Sequence, residues 1–232
     1  MNIIVPDRQE QDGPFPVFYL LHGLSDDHTG WVRRTSIERY VQDLPIIVVM
    51  PDCSRSFYCD AVEGPAYETY FIKDIIGFID RFFNTIPSRE GRVIGGLSMG
   101  GYGALKLSMK FPDLFCSAVS HSGALAITQV KAENLRQDMR FEFPQIFGPN
   151  PEGGKDCLFR LAESVDRSRL PAIRIDCGLD DGLLESNRAY HTHLESLDIP
   201  HEYEEFPGEH KWGYWDLHVR EAIQFHRNIL NI

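Results

Sequence analysis

Five residues, Gly96-Leu97-Ser98-Met99-Gly100, constrain this chain more than any other stretch. The preceding Arg92-Val93-Ile94-Gly95 reads as a short buried strand. The following Tyr102 to Lys110 reads as a helix with Ala104, Leu105 and Leu107 to pack. A turn this tight forces the serine at its apex into a strained backbone conformation. Side chains two residues before and two after it would strike the neighbouring strand and helix, and glycine stands at both places. The pentapeptide alone would arise on the order of once in ten chains of this length. Its weight comes from the strand before it and the helix after it.

The rest of the chain repeats that alternation. Phe15 to Leu21, Pro45 to Met50, Val93 to Leu97, Leu114 to Ser120 and Ala172 to Cys177 are short apolar runs. Such runs are what strands covered on both faces look like. Ile199 to Phe206 is polar and alternating, as an edge strand would be. Helical spacing is expected over Trp31–Asp43, Tyr67–Asn84, Glu185–Leu197 and Tyr214–Leu230. Strands alternating with helices predict a mostly parallel sheet with helices on both faces. The 232 residues suit a single α/β domain over 1–232. Residues 123–170 interrupt the alternation and are expected as an insertion bordering the active site.

Composition narrows the partners. A net charge of −11 without a basic stripe argues against nucleic acid, which needs cations to neutralise phosphates. No stretch has the apolar length of a membrane span, and no basic segment followed by a long apolar one opens the chain. The expectation is a cytoplasmic protein. A start placed late would leave secretion open. Five cysteines at unrelated spacings read as buried free thiols rather than a disulfide framework. No C-x-x-C pair occurs and the nine histidines form no spaced ligand set, so neither metal nor cofactor is expected. A homo-oligomer stays open.

A serine presented on such a turn becomes a nucleophile only with a base, and the base needs an acid. Candidates for both follow in that order. The strand Ile173–Cys177 leads into Gly178-Leu179-Asp180-Asp181-Gly182, at the same sheet edge as Ser98. Asp181, three residues after the glycine, is favoured as the acid, and Asp180 would cap the turn or the next helix. After the last strand, Pro207-Gly208-Glu209-His210 offers the imidazole. Two backbone N–H groups must also face the developing oxyanion. Met99 follows the nucleophile and Leu24 lies in His22-Gly23-Leu24-Ser25; these two are the candidates. His22 is assigned to packing of that loop. Tyr58, Phe143, Phe147 and Trp212 are expected to border the substrate mouth.

With these parts in place the chain resembles the esterase D family of α/β-hydrolases, which includes S-formylglutathione hydrolases, tributyrin-type, feruloyl and acetyl-xylan esterases, and mycolyltransferases. The resemblance rests on Tyr19-Leu20-Leu21-His22-Gly23-Leu24-Ser25 with Trp31 downstream, on Met50-Pro51-Asp52 with Ser56-Phe57-Tyr58, and on Tyr67-Glu68-Thr69-Tyr70. It continues through Gly96 to Ala104, Phe111-Pro112-Asp113-Leu114-Phe115, Ser122-Gly123, Cys177 to Asp181 and Gly208 to Trp212. It implies an α/β-hydrolase fold, a Ser98–Asp181–His210 triad and an oxyanion hole at Leu24 and Met99. It also implies a serine carboxylesterase for short acyl esters without a cofactor. Acyl transfer and S-formylglutathione hydrolysis are the enzymatic alternatives. A binding module on a hydrolase fold is disfavoured because serine, acid and histidine all stand. Relatives begin with an antiparallel strand pair. Here only Met1 to Pro6 precedes the Pro14 region, so the first strand is expected to be missing and the sheet's N-terminal edge shortened.

Overall fold

The apolar runs form the strands they predict, and the period-two alternation within each explains why they are apolar throughout. The computed structural model describes residues 1–7 and 13–232. Its strands are β1 (Asn2–Ile4), β2 (Val17–Leu21), β3 (Ile47–Met50), β4 (Arg92–Leu97), β5 (Ser117–His121), β6 (Ala172–Gly178) and β7 (Glu202–Phe206). They make one sheet in the order β1-β3-β2-β4-β5-β6-β7. All neighbours are parallel except β1, which runs antiparallel to β3 with Asn2 opposite Met50. Every residue of β2, β3, β4 and β5 is buried. Along β2, Val17, Tyr19 and Leu21 enter one core while Phe18 and Leu20 enter the other. Helices therefore cover both faces. β7 at the edge keeps its glutamates exposed or half-buried.

Two helical expectations are corrected. Residues 31–43 form not one helix but two, Gly30–Arg34 and Ile37–Val41. Thr35 between them is extended, its hydroxyl donating to the Trp31 carbonyl and accepting the Ile37 N–H. A side chain able to satisfy both helix ends makes the break cheap. Residues 67–82 are helical, but Tyr70–Ile75 widens into a π turn. The segment 123–170 carries the helices Glu142–Phe147 and Leu158–Ser164 among short 3-10 turns. Leu125, Leu135, Met139, Phe143, Ile146, Phe147 and Leu158 bury it in the same core as β2.

The parallel order sends the loops after β2, β3, β4, β6 and β7 to one edge of the sheet. All the candidate site residues outside 123–170 lie in or just beyond those loops. Among the described residues, no helix is long and apolar enough to cross a membrane.

Candidate active site

β4 ends at Leu97 and the next helix, Met99–Lys110, begins two residues later. Ser98 alone makes the turn, at φ 54° and ψ −114°. Such a conformation in a residue with a Cβ costs about 1–3 kcal/mol. The surroundings hold it: the Ser98 N–H donates to the His121 carbonyl at 2.9 Å, and its carbonyl accepts from Ala124 N–H at 3.0 Å. The flanking glycines are required by contact. A Cβ at Gly96 would sit 2.7 Å from the Gly100 backbone, and one at Gly100 would sit 2.5 Å from the Leu21 carbonyl.

The loop after β7 brings His210 to this serine. The Ser98 hydroxyl donates to His210 Nε2 at 3.0 Å, and His210 Nδ1 lies 2.8 Å from Asp181 Oδ2 and 3.0 Å from Oδ1. Asp181 Oδ1 also accepts the Leu183 N–H at 2.8 Å. Burial pushes the Asp181 carboxyl up, but the His210 and Leu183 hydrogen bonds outweigh it and hold the group below its ordinary value. The acid is thus ionised at neutral pH and fixes the proton of His210 on Nδ1, leaving Nε2 as acceptor. The histidine side chain is 35% exposed while the aspartate side chain is 0% exposed, so the imidazole faces the outside and the carboxylate does not. Asp180 is exposed, and the turn-capping role expected for it is taken by Asp181 through the Leu183 N–H.

Gly23 brings the loop after β2 against the same serine: a Cβ there would lie 3.7 Å from Ser98 Cβ. Among the described residues, no carbonyl accepts the N–H of Leu24 or of Met99. Met99 is also the first residue of its helix, where the dipole favours negative charge. His22 locks this loop. Its Nδ1 donates to the Gly23 carbonyl at 2.8 Å and its Nε2 accepts the Cys53 N–H at 3.1 Å. Burial pushes the imidazole down, which keeps it neutral in that tautomer.

Of the four residues expected at the substrate mouth, Tyr58 is turned inward and the other three pack ring on ring. Tyr58 is 0% exposed and points inward, its hydroxyl donating to the His22 carbonyl at 2.9 Å. Phe143 and Phe147 stack on each other at 4.7 Å, and Phe147 continues to Phe57 and Tyr102 in the core. Trp212 is half-buried, edge to face with Trp31 and with Trp215 at 5.4 Å each. The ring that touches the site is one the sequence reading passed over. Trp215 meets His210 edge to face at 4.9 Å. Its only signal was its place in the first turn of the helix that follows His210. Among the described residues, no group of three His, Cys, Asp or Glu is arranged to hold a metal ion, and the arrangement needs none to activate a hydroxyl.

The chain matches the Esterase family over residues 1–225. It is 30% identical over 220 residues to an acetyl esterase of Caldicellulosiruptor saccharolyticus, covering 89% of this chain and 81% of that protein. Among solved structures it resembles FphF, a fluorophosphonate-binding serine hydrolase of Staphylococcus aureus, with a TM-score of 0.85 and 28% identity over 97% of this chain and 90% of the other. It also resembles the S-formylglutathione hydrolase FrmB of the same species, with a TM-score of 0.83 and 27% identity over 97% and 91%. The chain belongs to the Esterase family, with the α/β-hydrolase fold of the esterase D-like enzymes, and is a carboxylic ester hydrolase.

Proposed function

We propose that Ser98, His210 and Asp181 form the catalytic triad of a serine carboxylesterase acting on short-chain acyl esters. The observation that carries this is the single imidazole bridging Ser98 Oγ at 3.0 Å and the buried Asp181 carboxylate at 2.8 Å. In this reading Ser98 Oγ attacks the ester carbonyl carbon while its proton passes to His210 Nε2. The oxyanion is met by the N–H groups of Leu24 and Met99. Collapse breaks the C–O bond to the alcohol, which leaves with the proton from Nε2. A water molecule, deprotonated by the same nitrogen, then releases the acid and restores Ser98.

The short-chain reading rests on a chain of rings behind the oxyanion loop: the Phe57 N–H meets the Met99 sulfur at 3.4 Å, Phe57 packs on Phe147, and Phe147 on Phe143. We place residues 123–170, which supply two of those rings, at the border of the acyl site. A slot too short for a methylene discriminates by about 1–3 kcal/mol. S-formylglutathione hydrolysis is the second reading, favoured by the likeness to FrmB. Asp26, Asp27 and Asp52 on the loops after β2 and β3 weigh against an anionic thioester.

Ser98→Ala is expected to remove ester hydrolysis by roughly 10⁴- to 10⁶-fold while the protein stays folded. Activity within about tenfold of the parent would overturn the assignment. Across nitrophenyl esters from acetate to octanoate, kcat/KM should fall at least about tenfold beyond butyrate. Equal turnover of octanoate would replace the short slot with an apolar groove.

A further inference from the structure

A second buried set of polar side chains lies behind the triad, and it touches all three elements that deliver the triad. Asp176 on β6 is 0% exposed, as is His121 at the end of β5. Asp176 Oδ2 meets His121 Nδ1 at 2.7 Å, and Asp176 Oδ1 accepts the Tyr214 hydroxyl at 2.9 Å. Each member stands beside the element that delivers a different triad residue. His121 accepts the Ser98 N–H on its backbone carbonyl at 2.9 Å. Asp176 stands five residues before Asp181 on the strand that feeds the acid loop, and its carbonyl takes the Ser122 N–H at 2.7 Å.

Tyr214 acts on the base. Its ring packs against Gly208, where a Cβ would come within 2.6 Å of Cδ2, and Gly208 is two residues before His210. The glycine adopts φ 151°, open to it because it has no side chain. The residue after Tyr214 is Trp215, whose ring backs the His210 imidazole. Burial, and then the Asp176 charge, push the Tyr214 phenol well above its ordinary value, so it stays a donor at any pH the protein meets.

We infer that Asp176, through Tyr214 and His121, is a positioning residue for catalysis: it fixes the register of β5, β6 and the His210 loop so that Ser98, Asp181 and His210 meet in line. This rests on the triad assigned above. Asp176 and His121 are 0% exposed and Tyr214 is buried with its hydroxyl on Asp176, so all three act from behind the triad. Their effect must appear in the rate of the chemical step rather than in substrate binding, since displacement of a catalytic group by about 1 Å can cost on the order of 10²-fold.

The test uses the full chain with Tyr214→Phe and Asp176→Asn, and Tyr190→Phe as a control. Tyr190 is a fully buried tyrosine whose hydroxyl bonds Met109 sulfur at 3.3 Å, away from this cluster. Kinetics on nitrophenyl acetate and inactivation by a fluorophosphonate are measured below each variant's melting transition. Tyr214→Phe and Asp176→Asn are expected to lower kcat by roughly 10- to 100-fold with KM within about threefold, and to slow fluorophosphonate labelling in parallel. Tyr190→Phe should lose stability without losing kcat. If Asp176→Asn does not fold, Tyr214→Phe decides alone, because it removes one hydroxyl and keeps the ring. A folded Tyr214→Phe with kcat within about twofold of the parent overturns the inference, whatever its melting temperature. Failure of the triad itself would show separately, as activity retained in Ser98→Ala.

Discussion

Two of the histidine–aspartate pairs at this end of the sheet make a telling contrast, because in the proposed function only one is built to move a proton to a substrate. In the pair His210–Asp181, the acid sits in a loop three residues past Gly178 and the base in a loop past β7. The nitrogen of His210 that faces away from the acid meets Ser98 Oγ. In the pair His121–Asp176 the Nδ1 to carboxylate distance is nearly the same, 2.7 Å against 2.8 Å, but both residues lie within strands. There His121 Nε2 has no hydrogen-bond partner among the described residues, and neither side chain is exposed. The difference teaches that an imidazole on a carboxylate is not yet a base for catalysis. The free nitrogen must also reach a nucleophile and the outside, and a loop provides that where a strand does not.

The largest effect expected from this contrast lies in the exposed pair. Asp181→Asn should lower kcat by about 10³- to 10⁴-fold, because the amide lets His210 take the tautomer that presents N–H to Ser98. Asp180→Asn, altering an exposed carboxyl one residue away, should leave kcat within about threefold. Steady-state kinetics on nitrophenyl acetate distinguishes them. If the two rank the other way, Asp180 serves as the acid and the contact of Asp181 with His210 does not matter in turnover.

Much of this was readable before any coordinates. The buried strands declare themselves as apolar runs because both faces of each are covered. The Ser98 turn declares itself because glycine is the residue that fits at 96 and 100. What escaped has physical reasons. The break at Thr35 depends on one hydroxyl satisfying two helix ends, which no periodicity records. Tyr58 was expected at the mouth because sequence gives a ring's size and not its direction. Phe57 and Tyr58 both adopt positive φ, at 52° and 55°, and that double turn sends the phenol inward to His22. Trp215 was hidden beside Trp212, three residues from one another on a helix where only packing tells which ring meets His210. The pair His121–Asp176 spans 55 residues between two strands, and no local motif joins them.

The buried pair should respond in stability as well as in rate. His121→Ala would leave the Asp176 carboxylate in the interior with only the Tyr214 hydroxyl on its side chain. Removing one partner of a buried pair costs about 3–5 kcal/mol. Chemical denaturation should therefore show a large fall in unfolding free energy for His121→Ala. The folded fraction should still hydrolyse esters faster than Asp181→Asn does. A His121→Ala protein as stable as the parent would mean that the Tyr214 hydroxyl alone satisfies Asp176, and the contrast between the two pairs would then be one of access alone.

The smallest effect expected sharpens the contrast with pH. His226 lies in the core behind the buried pair, its Nδ1 2.8 Å from Ser117 Oγ and its ring edge to face with Phe18 at 4.6 Å. Burial, with a further push from His121, lowers its pKa to about 3. The folded state thus keeps this imidazole neutral where the unfolded chain, with an ordinary value near 6.5, takes up a proton. The unfolded state binds more protons below that value, so the contribution is full above about pH 6.5 and is lost as pH falls toward about 3. One such group gives a slope of up to about 1.4 kcal/mol per pH unit. Urea unfolding of the parent between about pH 6.5 and 4 should show it. In His226→Asn, whose amide can still meet Ser117 Oγ, stability should be lower at neutral pH but flatter across that window. An unchanged slope in His226→Asn would assign the acid sensitivity to other groups, with Asp181 the first to examine: its carboxyl is held low when folded, so its contribution is present above about pH 4 and lost as pH falls below it.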